Sequence, residues 1–451
     1  MFTIKPAKSF HGKFILPPSP DLFFLSAIIS IASKQPVKIS PFNETPLNKK
    51  RLDTIKGLAD CKQEQNVCTI IPKSTDKSSS FVPVSYDTLP YRDIIVFTLL
   101  GMGKTIAFDS ISERKIGYWK KIADKLGFMI ESELFDDKIG LTINSFPEKI
   151  NDNLTFTETD IAPFLGLLLG RNQDFSFNID FIFSNPLRMI LPVFGYELSV
   201  KSLIRKENDP IARRIKLIQS KRMQSSRNQK FIVTASFSKK NISEKPVEIT
   251  LPGDEILGAI LITSKCLLPK GSFVLNNMPL ETWATPVLSY IRKMGCKTSI
   301  QETSRCSFGS VGMINIQKFE LTGRKMECNP PENYYVYIPA LVILAAFAKG
   351  QSVFRNMEDL RNDNPDGIDL IESCIRKLGA RHGEMPDGIV VEGGSGFDGF
   401  DLTENYPAHI SGSFCAAGFK CLGETHIEDE YIKQRWPDFE KIISELAEFR
   451  S

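Results

Sequence analysis

Gly101-Met102-Gly103-Lys104-Thr105 offers the ingredients of a phosphate cradle: a glycine turn, an ammonium and a hydroxyl. The spacing fails, because Thr98 stands where the first glycine of a P-loop is needed. The β-type run at 105–108 also follows the turn instead of preceding it, so a helix stop leading into a strand is the simpler reading. Gly393-Gly394-Ser395-Gly396-Phe397-Asp398-Gly399-Phe400-Asp401 has the carboxylates of a calcium loop, but in one copy and without EF-hand spacing. It reads as a turn after the strand at 389–391. The four histidines, His11, His382, His409 and His426, have no metal-ligand spacing, and the nine cysteines form no CxxC pair. Neither a metal nor a cofactor is expected, and Cys415 and Cys421 read as core. The densest charge is at 205–230, with nine Lys or Arg against two acids. Arg213, Arg214, Lys216, Lys221 and Arg222 could hold a polyanion there. The stretch lacks the interleaved aromatics of a single-strand groove, so a solvated loop is favoured and nucleic acid is not an expected partner.

Bulk composition narrows the class. The 451 residues are 42% hydrophobic and 24% charged with a net charge of +3. These are values of an ordinary globular chain of two or three domains, and the charge demands no polyanionic partner. The longest apolar runs, at 22–32 and 339–348, fall short of the roughly 20 residues a bilayer span needs. The first residues lack the apolar core of a signal peptide. A cytoplasmic, monomeric protein is expected.

The elements that must position any site come in a repeat. An apolar helix ends at a glycine or polar turn. A short strand follows, then an amphipathic helix closed by glycine, then one or two more strands. Copies begin near Leu22, Asp93, Ile161, Ile256, Tyr337 and Ile410. In the fifth, Ala348-Lys349-Gly350 stops the apolar helix, and Ile368, Ile371, Cys374, Ile375 and Leu378 follow at helical spacing before Gly379. The longest spacing, between the third and fourth copies, marks a boundary. The fold class is therefore α/β (α+β), in two similar lobes of three repeats each. Helices apolar all round must be buried, which sheets packed around them achieve. Lobe 1 is expected at 15–247 and lobe 2 at 1–14 with 248–451. The sixth copy is read as ending in a helix at 439–449 with no closing strand, Phe2-Thr3-Ile4 supplying the missing edge.

This arrangement resembles the enolpyruvyl transferase family, nearest to the 5-enolpyruvylshikimate-3-phosphate (EPSP) synthases. Leu251-Pro252-Gly253-Asp254 is similar to the family's Gly-Asp segment opening copy four, and Phe354-Arg355-Asn356-Met357-Glu358-Asp359-Leu360-Arg361 to its stretch in copy five. Trp436-Pro437-Asp438-Phe439 is similar to its closing Phe-Pro-Asp-Phe, and Gly12 to Ser19 to its opening Gly-x-Ile-x-x-Pro-Gly-Ser. The resemblance implies an inside-out α/β barrel in each lobe. It also implies a cleft that joins phosphoenolpyruvate to shikimate-3-phosphate with release of phosphate. Asp254 and His409 fall on its catalytic candidates, and Ser19, Arg114, Arg361 and Asp366 on its substrate-binding ones.

The family's cations are displaced. Pro20, Leu25, Asp363, Gly367 and Gln434 stand at Lys or Arg positions. A charge-assisted hydrogen bond is worth roughly 1.5–3 kcal/mol, while a micromolar site is worth about 8 kcal/mol in all. Such losses would nearly abolish binding of two phosphoesters. The expected protein is thus a non-catalytic relative with a binding or assembly role, its partner a small anionic metabolite in the inter-lobe cleft or another protein. The alternatives are an active carboxyvinyl transferase on a less anionic substrate, and a polyanion-binding protein acting through 205–230.

Overall fold

The structure is a computed structural model. It describes residues 1–450 except 74–80, 85–90, 136, 144, 146–154, 157–160, 173, 180–185, 203–232, 240–244, 269, 282–283, 319, 329–333 and 364. The basic segment carrying Arg213, Arg214, Lys216, Lys221 and Arg222 lies outside the described residues.

Six apolar helices form the centre: Pro20–Ser33, Arg92–Gly101, Ile161–Arg171, Glu255–Leu267, Ile338–Ala346 and Ala408–Gly418. Nearly every residue on them is buried, as helices without a polar face require. Serines can sit on such helices because they bond to their own backbone. Ser26 Oγ donates to the Leu22 carbonyl at 2.7 Å and Ser30 Oγ to the Gln35 carbonyl at 2.6 Å. The second and third inner helices touch backbone to backbone. A Cβ built on Gly166 would lie 2.4 Å from the Ile94 carbonyl, and one on Gly170 2.2 Å from the Thr98 carbonyl.

Each repeat wraps its helix with a sheet. Five sheets have four strands, and the last has three. Each contains one parallel pair; in the second, third, fifth and sixth the segment preceding the inner helix contributes a strand to it, and the first and fourth exchange these segments. Phe2–Ile4 pairs with Thr425–Ile427 and completes the sixth. The expected terminal helix is corrected. It stops at Leu446, and Ala447–Phe449 is a strand against Ala7–Phe10, because the open edge of the N-terminal segment offers that strand a ladder.

Two hydrophobic cores result. One gathers residues from Leu22 to Leu251, joined by Ala284 and Phe308, and the other gathers Phe2 to Leu16 with Ile256 to Ala447. Two crossings exchange strands between them. Gly12–Ile15 pairs in parallel with Phe273–Pro279, and Val247–Thr250 pairs in parallel with Val37–Ser40. By sheet membership the chain passes over at 16–19 and 251–254. The crossings run side by side, with Ser19 N donating to the Pro252 carbonyl at 3.0 Å and Asp254 N to the Pro17 carbonyl at 2.7 Å. Lys265 fixes the N-terminal segment from inside the core. Its buried ammonium donates to the carbonyls of Phe10 (3.2 Å), Leu268 (3.3 Å), Lys270 (2.9 Å) and Gly271 (2.6 Å).

Candidate functional site

The two crossings bring the N-termini of the first and fourth inner helices together, and each of these helices opens on a carboxylate. Asp21 lies one turn-start beyond the cap Ser19, which accepts from Leu22 N at 3.4 Å. Asp254 caps its own helix, accepting from Ile256 N at 3.0 Å and Leu257 N at 3.3 Å. Buried carboxylates need partners, and two arginines distant in sequence supply them. Arg51 donates to Asp21 Oδ1 at 2.6 Å, and Arg435 donates to Asp21 Oδ2 at 2.6 Å. Arg435 reaches on to Asp254 at 3.1 Å, whose other oxygen takes the Trp436 indole N–H at 2.8 Å. Asp21, Asp254, Arg51 and Arg435 are all at most 7% exposed. Asp21 and Arg51 pack with the first core, Asp254 with the second, and Arg435 joins them.

Burial works against ionised Asp21, but Arg435 and Arg51 outweigh it and hold the carboxyl below its ordinary range. Burial likewise opposes the charge on Arg435, and Asp21 with Asp254 restores it, so its affinity for the proton rises. Glu255 is the group left over. Burial first, then the Asp254 and Asp21 charges, push its carboxyl up to about 8. Neither of its oxygens has a hydrogen-bond partner among the described residues, and the Tyr337 hydroxyl has none either. Burial and then the Glu255 charge raise that phenol well above its usual range. His409 opens the sixth inner helix, partly exposed but densely surrounded. Burial and then Arg435 push it down to about 4, so it is neutral near pH 7.

The Glu255 shift has a testable sign. The folded protein keeps this proton up to about pH 8, whereas an unfolded glutamate releases it near 4.5. The contribution is fully present below 4.5 and is lost as pH rises toward 8. His409 acts oppositely, between about 4 and 6.5. Between pH 6.5 and 8 Glu255 therefore stands alone of the two, and unfolding free energy should fall across that interval. Urea denaturation of Glu255→Gln should show a flatter profile than the parent; parallel profiles would mean that Glu255 is ionised in the fold.

A second set of ion pairs ties the second repeat to the fifth. Arg92 donates to Asp363 at 2.6 Å, both groups being nearly buried. Ser112 Oγ donates to the Asn362 carbonyl. Asp93 holds Lys115 at 3.1 Å and accepts from Trp119 Nε1 at 3.1 Å. This corrects the expectation of a cation-poor cleft. Arg51, Arg92, Lys115 and Arg435 bring positive charge from positions that no motif marks, and carboxylates of the chain neutralise it.

The candidates divide accordingly. Asp254 belongs to the central cluster, and His409 feels the charges of Arg435, Asp363 and Asp21. Ser19 is a helix cap at the crossing. Arg361 bonds to Asp366 (3.1 Å), Asp369 (3.3 Å), Glu384 (2.5 Å) and the Pro386 and Met385 carbonyls (2.9 and 2.8 Å). Asp366 caps helix Gly367–Leu378 through Ile368 N at 2.9 Å. Arg114 is 70% exposed and 3.8 Å from Asp366. Arg114, Arg361 and Asp366 thus form a structural group of their own. Sequence reasoning missed Arg51, Arg92, Lys115, Glu255, Tyr337 and Arg435. The available signal was Asp21 and Asp254-Glu255 opening helices that must be buried, since such carboxylates require cations or protons.

A cavity of about 620 Å³ adjoins the cluster, lined by the crossing residues Phe14 to Pro20, by Phe42 to Asn48 and by Arg435 to Glu445. Among the described residues no group of three or more His, Cys, Asp or Glu is placed to hold a metal, and no helix is long and apolar enough to cross a membrane.

Residues 224–443 match the family model for EPSP synthase (3-phosphoshikimate 1-carboxyvinyltransferase). The 3-phosphoshikimate 1-carboxyvinyltransferase of Alkaliphilus oremlandii is 26% identical over 201 residues, 44% of this chain and 47% of that protein. That of Thermoanaerobacter sp. is 27% identical over 201 residues, with the same coverage. The chain spans about half the length of these curated relatives in the matched stretch. Fold similarity extends much further. An EPSP synthase structure from Acinetobacter baumannii covers 99% of this chain and 98% of its own, with a TM-score of 0.67 at 17% identity. The enolpyruvyl transferase NikO from Streptomyces tendae gives a TM-score of 0.66 at 13% identity with the same coverage.

Proposed function

We propose that this divergent relative of the enolpyruvyl transferases, EPSP synthase-like in sequence and fold, is non-catalytic and keeps the scaffold for binding or assembly. The observation that carries this reading is Asp21. Its carboxylate takes both Arg51 and Arg435 at 2.6 Å, so guanidiniums that could grip an anionic substrate already hold one from the chain. Arg92 is engaged by Asp363 in the same manner. A phosphoester entering here would have to displace buried ion pairs and leave their carboxylates uncompensated, at about 3–5 kcal/mol for each broken pair. Phosphate release from phosphoenolpyruvate with shikimate-3-phosphate should stay at the buffer rate. Turnover near one per second would overturn the proposal.

A second reading rests on Glu255, Tyr337 and His409. A carboxylic acid protonated up to about pH 8 and a neutral imidazole at the same junction are groups suited to proton transfer. They favour an active transferase on a less anionic acceptor. Phosphate release from phosphoenolpyruvate with unphosphorylated hydroxy acids would select it. The polyanion reading stays with residues 205–230.

A further inference from the structure

The fourth repeat encloses a pair of thiols. Cys266 lies in the last turn of helix Glu255–Leu267, and Cys296 lies between helix Pro286–Lys293 and strand Lys297–Cys306. Both are buried, and their sulfurs are 3.8 Å apart in a thiol hydrogen bond. A disulfide needs about 2 Å between its sulfurs, and rotation about one Cα–Cβ bond moves a sulfur further than the difference. The backbone on each side is held in place. Beside Cys266, the Lys265 ammonium is bound to four carbonyls. Before Cys296, Gly295 makes the turn at φ +109°, and Cys296 N donates to the Ile291 carbonyl at 2.8 Å.

Burial makes a thiol inert, but Cys296 stands at an edge. Strand Lys297–Cys306 is the outer strand of its sheet, and eight of its ten residues are exposed. Its ladder with Gly309–Lys318 is irregular between Lys297 and Thr298, next to Cys296, so opening one strand end uncovers the sulfur. Arg292, Lys293 and Lys297 are exposed around that end, and Arg324 Nε donates to the Lys293 carbonyl at 2.9 Å. Glu320, whose carbonyl faces Gly295, is engaged by Lys349. This charge favours an anionic reagent.

We propose that Cys266 and Cys296 are an oxidation site, converted to a disulfide by an anionic low-molecular-weight disulfide of the glutathione type. The bond staples the inner helix of the fourth repeat to the edge of its sheet. The hydrogen bond to Cys296, then burial, hold the Cys266 thiol well above its ordinary range, so Cys296 reacts first. Its thiolate attacks one sulfur of the oxidant, whose S–S bond breaks, and the other half leaves as a thiolate. Cys266 then loses its proton, and its sulfur displaces the second half from Cys296. Two protein thiols give up two electrons and two protons, and one small disulfide becomes two thiols. The pair lies at the opposite end of the helix from Asp254 and Glu255, so the inference goes beyond the reading of the cleft and does not depend on it.

The test incubates the full chain with oxidised glutathione in the absence of denaturant, blocks free thiols with N-ethylmaleimide and maps the tryptic peptides. Cleavage should release 266–270 joined to 294–297, a species that dithiothreitol separates. The linked chain should melt several degrees above the reduced one, and Cys296→Ser should lose both the linked peptide and the shift. Lys293→Gln/Lys297→Gln, at two exposed positions, should slow the loss of two of the nine free thiols by about threefold or more. Adducts confined to the partly exposed Cys61 and Cys306 overturn the proposal. So does a linked peptide seen only in urea, or a linked chain that melts no higher than the reduced one. An unchanged rate in the lysine variant overturns the assignment of an anionic oxidant.

Discussion

Asp21→Ala should lose about 3–5 kcal/mol of unfolding free energy. The substitution removes one carboxylate and leaves two guanidiniums, Arg51 and Arg435, buried together. Arg435 retains Asp254 at 3.1 Å. Arg51, whose side chain is 3% exposed, loses its 2.6 Å carboxylate. Both arginines stay charged, because guanidinium does not release its proton in proteins. The unbalanced charge gives the variant a property the parent lacks, a seat for a small anion. Formate, which replaces the deleted carboxylate group, should restore stability in a saturable manner, by RT ln(1 + [L]/Kd). Guanidine-free urea denaturation with and without formate, using chloride at equal ionic strength as the reference, measures both effects. A loss under 1 kcal/mol would show that Asp21 is not what holds the two halves together.

The complementary change removes the cation. Among the described residues, Arg435→Gln leaves Asp254 without an ion-pair partner and Asp21 with Arg51 alone. A similar loss of about 3–5 kcal/mol is expected at pH 7, and its pH dependence separates it from simple loss of packing. In the parent, Arg435 and Arg51 depress the Asp21 carboxyl below 3.8. That group therefore contributes stability above 3.8 that is lost as pH falls. Without Arg435 the Asp21 carboxyl loses the stronger of the two charges that hold it down and moves up, so acidification relieves the variant at a group that stays ionised in the parent, beyond the Glu255 effect that both share. The gap between the two should narrow from pH 7 to pH 5. A gap of constant size would assign the cost to lost packing of the Arg435 side chain, whose guanidinium carbon lies 5.2 Å from the centroid of the Trp436 ring, rather than to its pairing with the carboxylates.

Both variants read out the same internal anion, since Asp21 occupies Arg51 and Arg435 as a bound carboxylate would.

The sequence by itself determined the architecture. Six apolar helices without a polar face can only be buried, and the strands and glycine stops that follow each one repeat with the same order. Those signals are local, carried by periodicity within a dozen residues, and they placed every inner helix to within two residues of where it lies. The edge strand Phe2–Ile4 was legible for the same reason, as an alternating segment with a vacancy to fill. Only the tertiary structure decided the charge state of the cleft. Asp21 and Arg435 are 414 positions apart and Arg92 and Asp363 are 271 apart, and no pattern along the chain couples such pairs. Spacing along the chain does not show that Arg51 and Arg435 arrive through space from other elements. Burial then fixed the protonation of Glu255 and His409, a property of their surroundings and not of their residue type.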